Sequence, residues 1–369
     1  MPLTKQQHFV PRTYLKAWET QVTSDTDPTM HFTGIYSFDS EDDVGHGVTT
    51  KSILWQSYLY TVGIEQSCIF ERCPKIFTDF VNQVYRAIRE REGGPVYGKL
   101  DYSVIKTKSS IRKHFRDIDR WEFYRDNGEL ARTNAIRNEM RSIRSNVLEE
   151  GFSNKFESSW ASVLHQFISE MHSPSSGILG KSERHISSES AEAMLSFFFM
   201  MLCRNPRFNC MGIYDVIANL LRSTFEEPEA QNETGNDVAR EMIHDLWLVE
   251  LYRMIYGGAR GFYHSALNAA TLRLQMVLFE AYDDAGQFIT NDNPAFQHYS
   301  IPEAQSMNGY VFPLSPKYLL FICRGDAPTN IVDMRFADHK VVAYFNQAIY
   351  RNRTQKAISN FKDLSKLLS

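Results

Sequence analysis

At 369 residues, with 43% hydrophobic and 23% charged residues, the chain is long enough for a substantial core, and wholesale disorder is excluded. A net charge of −4 excludes a global basic field for nucleic acid and leaves only local patches to be considered. The five cysteines form no C-x-x-C pair, which argues against structural zinc and for reduced thiols packed as small core residues.

In chain order, "QQHFVPRTYLKAWE" places Pro11 at the first turn of a helix, with Tyr14, Leu15 and Trp18 on one face. "HFTGIYSF" alternates as a strand, and "VTTKSILWQSYLYTV" reads as a strand running into a short helix. From Gly63 the period turns helical and continues to the "GGP" at 93–95. Residues 103–146 are expected to be a charged helical stretch, with eleven Lys or Arg against six Asp or Glu. "KFESSWASVLHQFISEM" follows as an amphipathic helix, and a break is expected at 172–190, where Ser and Gly accumulate. "AMLSFFFMMLC" is the longest apolar run; at 11 residues it suits a buried helix and not a membrane span. Residues 226–250 carry eight acids and one arginine.

The last third changes period. "LRLQMVLFEA", "QFIT", "YVFPLS" and "YLLFICR" read as short strands, and "ADHKVVAYFNQAIYRNRTQKAISN" as a closing helix. The expectation is a mainly α fold with a smaller β-sheet, α+β, with the N-terminal helix packed on the C-terminal strands. It is a single large domain over 1–369, with a helical middle at 63–270 and a strand-rich segment at 272–325. "MPLTKQQHF" lacks the apolar region of a secretion signal, so a cytoplasmic setting is expected.

The common catalytic signatures are missing. There is no P-loop, no G-x-S-x-G elbow and no H-E-x-x-H, and "YGGARGFYH" lacks the strand–turn–helix setting of a dinucleotide site. Glu241 and His244 form one E-x-x-H, where a di-iron bundle needs two, so surface charge is the simpler reading. Arg260 to His264 and Arg335 to His339 are each one residue too close for the R-x4-6-H pattern of helical endoribonucleases.

Four segments in order, "QQHFVPRTYLKAWE", "LWQSYLYTVGIEQS", "FFFMMLCRNPRF" and "FITNDNPAF...FPLSP", with the closing "FNQAIYRNRTQKAISN", resemble the bacterial family known as domain of unknown function 4238. The matching positions are His8, Pro11, Tyr14, Leu15, Tyr60, Ile64, Glu65, Arg204, Pro206, Asp292, Asn293 and Pro294. Asn291 stands where that pattern has a serine, which weakens any nucleophile there. The resemblance implies no activity.

The residues themselves suggest two readings. In the first, the catalytic set is Glu65, Asp292 and His8. Glu65 and Asp292 hold a divalent metal, Mg²⁺ or Mn²⁺, and Arg12, Arg204 and Asn293 hold an anionic substrate. Metal-assisted hydrolysis of nucleic acid or another phosphate-bearing substrate suits that set, with 103–146 adding phosphate contacts. In the second, the same residues form a buried polar network, and the protein is a non-catalytic binding or sensor protein, by analogy one of a microbial conflict system. Asn291-Asp292-Asn293-Pro294 then makes a rigid Asx turn, Glu65 complements a helix start, and Arg204 complements a helix end. Arg12 lies at the positive end of its helix, so a nearby anion is expected there.

Overall fold

The computed structural model describes residues 6–39, 44–57, 59–60, 74–91, 93–131, 133–173, 182–208, 230–256, 261–298 and 308–368. Sixteen strands in four sheets stand among the helices of these residues. The chain is a mixed α/β protein, which corrects the expectation of a mainly α fold. The reason is visible at 96–125, where the strands have three to five residues each. So short a strand places one or two side chains inward, too few for alternation to register. The expected charged helix at 103–146 is therefore two strands and a short helix before Thr133–Lys155 begins.

Contacts divide the chain into two compact units, and the backbone passes between them several times. The first comprises Met1–Gln7, Gln56–Asn154 and Asn209–Gly261, and the second His8–Trp55, Lys155–Phe208 and Phe262–Ser369.

In the first unit a three-stranded antiparallel sheet has Val96–Leu100 at its centre, flanked by Ser103–Ile105 and Glu122–Arg125. Its inner face buries Val96, Ile105 and Phe123 together with Trp121. The helices Pro74–Arg89 and Lys108–His114 contact this sheet. Thr107 and Ser110 close a reciprocal capping box at the start of the second helix.

In the second unit a six-stranded sheet runs, in spatial order, Phe296–His298, Gly309–Pro313, Tyr318–Arg324, Leu274–Ala281, Ile331–Ala337 and Glu183–His185. Only Leu274–Ala281 and Ile331–Ala337 are parallel. One face carries Val277, Phe279 and Phe321 against Val342, Phe345 and Ile349 of the helix His339–Asn352. On the other face, Phe197 and Phe198 of the helix Ser188–Arg204 meet Phe312, which shares a row with Leu320 and Leu278. Leu274–Ala281 is thus covered on both sides, and its near-continuous apolar sequence follows from that. The Ser188–Arg204 helix starts at Ser187, whose hydroxyl accepts from the Ser190 N–H.

A second, smaller sheet orders Thr290–Asn291, Ala357–Ser359, His31–Phe38 and Thr20–Thr23, with His46–Val48 also paired to His31–Phe38. The expected "HFTGIYSF" strand is present end to end. The closing helix is shorter than its sequence suggested. It stops at Asn352, and the chain returns as the strand Ala357–Ser359. Within the expected break, Glu183–His185 is an edge strand, while 174–181 lie outside the described residues.

Gly98 sits on the inner face of the three-stranded sheet, where an added Cβ would fall 2.9 Å from the Trp121 ring. Gly98→Ala is expected to cost about 1–3 kcal/mol through overpacking. Urea denaturation followed by tryptophan fluorescence checks this, and an unchanged midpoint would refute the close approach.

Candidate functional site

The N-terminal turn is held by what it buries. Arg12–Leu15 is a single helical turn after Pro11, continued by a 3-10 turn over Lys16–Trp18. So short a helix is unstable alone. Tyr14, Leu15 and Trp18 are all fully buried. The Tyr14 hydroxyl donates to the Pro313 carbonyl at 2.7 Å and accepts from the Thr290 hydroxyl at 2.8 Å. Burial pushes its pKa well above the ordinary tyrosine range, despite that Thr290 bond. Trp18 Nε1 donates to the Phe288 carbonyl at 3.0 Å.

Both aromatic residues therefore lead to the segment 288–293. There the Ile289 N–H donates to Asn346 Oδ1 at 3.0 Å, and Asn346 Nδ2 donates to the Gln287 carbonyl at 2.9 Å. Asn291 Nδ2 donates to the Ile349 carbonyl at 2.6 Å, and its Oδ1 accepts from the Asn293 N–H at 2.9 Å, closing an Asx turn. Asn352 Nδ2 donates to the Asn293 carbonyl at 3.2 Å.

Asp292 is 3% exposed. Its Oδ1 accepts from the Thr354 N–H at 2.7 Å, and its Oδ2 from the N–H groups of Gln355 at 2.7 Å and Lys356 at 3.2 Å. Three successive backbone dipoles thus point at one carboxylate, the arrangement of an anion nest with the anion supplied by the chain itself. The Asp292 carbonyl accepts from Asn205 Nδ2 at 2.9 Å.

Arg204 ends the Ser188–Arg204 helix and is 1% exposed. Its Nη1 pairs with Glu157 Oε1, and its Nη2 donates to the His8 carbonyl at 2.6 Å. Nothing in the spacing of Glu157 identifies it as this counterion; the pairing spans 47 residues. The His8 side chain meets the Lys51 carbonyl through Nε2 at 3.2 Å, and since a carbonyl only accepts, that nitrogen carries the hydrogen. Burial lowers the His8 pKa, the charges of Arg12 and Arg204 lower it further, and the Lys51 bond and Glu157 oppose them. The net effect favours the neutral ring.

Of the residues expected to converge, His8, Arg12 and Arg204 are near enough for their charges to be felt at the imidazole. Asp292 turns both carboxylate oxygens to the 354–356 loop, and Glu65 lies outside the described residues. Arg12 is exposed and has no carboxylate partner among the described residues. Among the described residues no group of three or more His, Cys, Asp or Glu is placed to hold a metal ion. His244 packs against Trp247, with burial lowering its pKa, and the side chain of Glu241 lies outside the described residues.

Beside Asn352 lies a cleft of about 300 Å³ that the sequence did not signal. Tyr344, Gln347, Ala348 and Arg351 line it from one face of the His339–Asn352 helix, at successive helical steps. Phe296 and His298 line it from the edge strand. His298 Nε2 and the Tyr344 hydroxyl are 2.7 Å apart. Arg351 is exposed and has no carboxylate partner among the described residues.

Residues 6–363 match the model of a family described as "Protein of unknown function (DUF4238)". No curated protein and no solved structure matches the chain.

Replacing Asp292 by alanine removes three charge-assisted bonds and leaves backbone donors unpaired, so Asp292→Ala should lose about 3 kcal/mol of stability or more. Chemical denaturation measures it, and a loss within about 0.5 kcal/mol, the range of ordinary surface substitutions, would contradict the role given to this carboxylate. His8 adds a pH dependence of known sign. Its folded pKa lies below the unfolded one, so its contribution is full above about pH 6.5 and is lost as pH falls towards the folded pKa. His8→Gln should flatten the decline in melting temperature between about pH 7 and pH 5. Parallel slopes for the two proteins would exclude this imidazole as a contributor.

Proposed function

The chain belongs to the DUF4238 family of proteins of unknown function, and from that premise we propose that it is a non-catalytic binding protein for a small anionic ligand. The ligand class is a carboxylate or a phosphate monoester, taken in the cleft between the edge strand Phe296–His298 and the helix His339–Asn352. One contrast carries this reading. Two of the charged groups that stand out in the sequence are satisfied internally, Asp292 by three backbone N–H groups and Arg204 by Glu157 and the His8 carbonyl. Arg351 instead lines an open cleft with no carboxylate partner among the described residues.

The cleft supplies the complementary parts. A guanidinium forks onto two anion oxygens, and the Gln347 amide nitrogen, which donates one hydrogen to the Leu368 carbonyl at 2.8 Å, has a second beside it. The Phe296 and Tyr344 rings give an apolar wall for a planar group. The volume is at the low end of small-molecule sites, which favours a ligand of metabolite size over a polymer. Binding without turnover suits a sensor.

Isothermal titration with inorganic phosphate, a nucleoside 5′-monophosphate and citrate tests the proposal. At least one should bind, and Arg351→Gln should weaken it about tenfold or more, as loss of a charged hydrogen bond implies. No binding by any of the three, or equal binding by the variant, overturns it. Cleavage of DNA or RNA with Mg²⁺ or Mn²⁺ that is lost in a folded Asp292→Asn variant also overturns it, in favour of metal-assisted hydrolysis.

A further inference from the structure

The three-stranded sheet of the first unit has an outer face unlike an ordinary solvated one. Residues alternate along Val96–Leu100, so Val96 and Gly98 turn inward while Tyr97 and Lys99 turn outward. The register places Tyr124 opposite Tyr97, and Val104 and Glu122 opposite Lys99, all on that outer face. The Tyr97 and Tyr124 rings are near-parallel, 5.9 Å apart at 22°. Lys99 Nζ lies 5.7 Å from the centre of the Tyr124 ring. Glu122 accepts from the Tyr124 hydroxyl at 2.8 Å, which fixes that ring's direction. Val104 is 48% exposed, and Tyr102 in the adjoining turn is fully exposed. Lys106, also exposed, lies just past the end of the strand Ser103–Ile105.

The two tyrosine rings are half-buried against one another, and Val104 and Tyr102 stand exposed beside them, so the face carries an apolar patch. The charge of the face is mixed and not acidic: Lys99 stands opposite Glu122, and Lys106 lies just past the strand end, in a chain whose net charge is −4. Lysine beside partly exposed aromatic rings matches a ligand that carries flat rings and negative charge at each repeat. A duplex hides its base faces, whereas a single strand offers them.

We propose that this face, built on Tyr97, Lys99, Lys106 and Tyr124, binds single-stranded nucleic acid, with bases stacked on the two tyrosines and phosphates met by the two lysines. The assignment is independent of the anion cleft and rests on different residues. It narrows the basic stretch 103–146 to one surface that includes Tyr97 and Lys99, which lie outside that stretch.

Fluorescence anisotropy of the full chain with labelled oligo-dT and oligo-rU of about 12 nucleotides tests it, with a duplex of the same length as control. Single strands should bind more tightly than duplex. The pair Tyr97→Ala and Tyr124→Ala should weaken binding about tenfold or more, while Tyr97→Phe with Tyr124→Phe keeps it, since phenylalanine still stacks. Lys99→Gln should make the salt dependence shallower by about 0.7 in log–log slope, as loss of one phosphate contact to a single strand requires. The alanine pair removes a cross-strand ring contact and should lower the urea midpoint modestly, while the phenylalanine pair and Lys99→Gln should keep it, which separates loss of binding from loss of fold. Absence of binding to either oligonucleotide, equal affinity for duplex, or an alanine pair that binds like wild type each overturns the proposal. Arg351→Gln should leave this binding untouched, so the two readings fail separately.

Discussion

The carboxylate of Asp292 is a buried charge neutralised by three backbone dipoles, and much of the second unit is arranged around that requirement. An ionised carboxylate taken out of water is stable only if its oxygens are met, and the 354–356 loop meets them. The chain then cannot continue as a helix beyond Asn352 and instead returns as the strand Ala357–Ser359, pairing with Thr290–Asn291. The flanking groups complete one another in the same way. Asn291 caps the Ile349 carbonyl, Asn346 joins Ile289 to Gln287, Asn205 holds the Asp292 carbonyl, and Tyr14 and Trp18 bind Thr290, Pro313 and Phe288. In so dry a network each member keeps another from being orphaned, so the N-terminal turn, the end of the Ser188–Arg204 helix and the C-terminal helix are coupled through it.

That coupling changes where function is to be sought. His, Arg, Glu and Asp in short motifs suggest chemistry, yet Arg204 is spent on Glu157 and the His8 carbonyl, and His8 is kept neutral by burial. A charge already satisfied by its own fold has little left to offer a ligand. Besides Arg12, the groups with capacity to spare are Arg351 in the cleft beside Asn352 and the partly exposed tyrosine and lysine face of the three-stranded sheet. Neither is conspicuous in the sequence, because each is assembled from residues spaced along a helix or paired across strands.

The legible parts of the fold were those whose signal is long or strongly apolar. The Ser188–Arg204 helix, the His31–Phe38 strand and the strands Leu274–Ala281 and Tyr318–Arg324 all show themselves by period or by continuous hydrophobicity. The sequence understates the strand content because most of the remaining strands are three to five residues long. At the site, Pro11, Tyr14 and Trp18 were readable as a helix start, and 291–294 as an Asx turn. Glu157 was not readable as the partner of Arg204, since ion pairing between distant segments leaves no periodic trace.

By itself the sequence determined the family, the lack of an apolar run longer than 11 residues and the local character of the stiff segments, because these depend on residue type and near-neighbour spacing. Only the tertiary structure decided what the polar residues face. Asp292 can bind a metal or a loop with the same atoms, and Arg12 and Arg204 carry the same charge in exposed and buried settings. Which outcome holds is set by desolvation and by partners brought from far along the chain. The anion of Asp292 is met by residues 62 to 64 positions away.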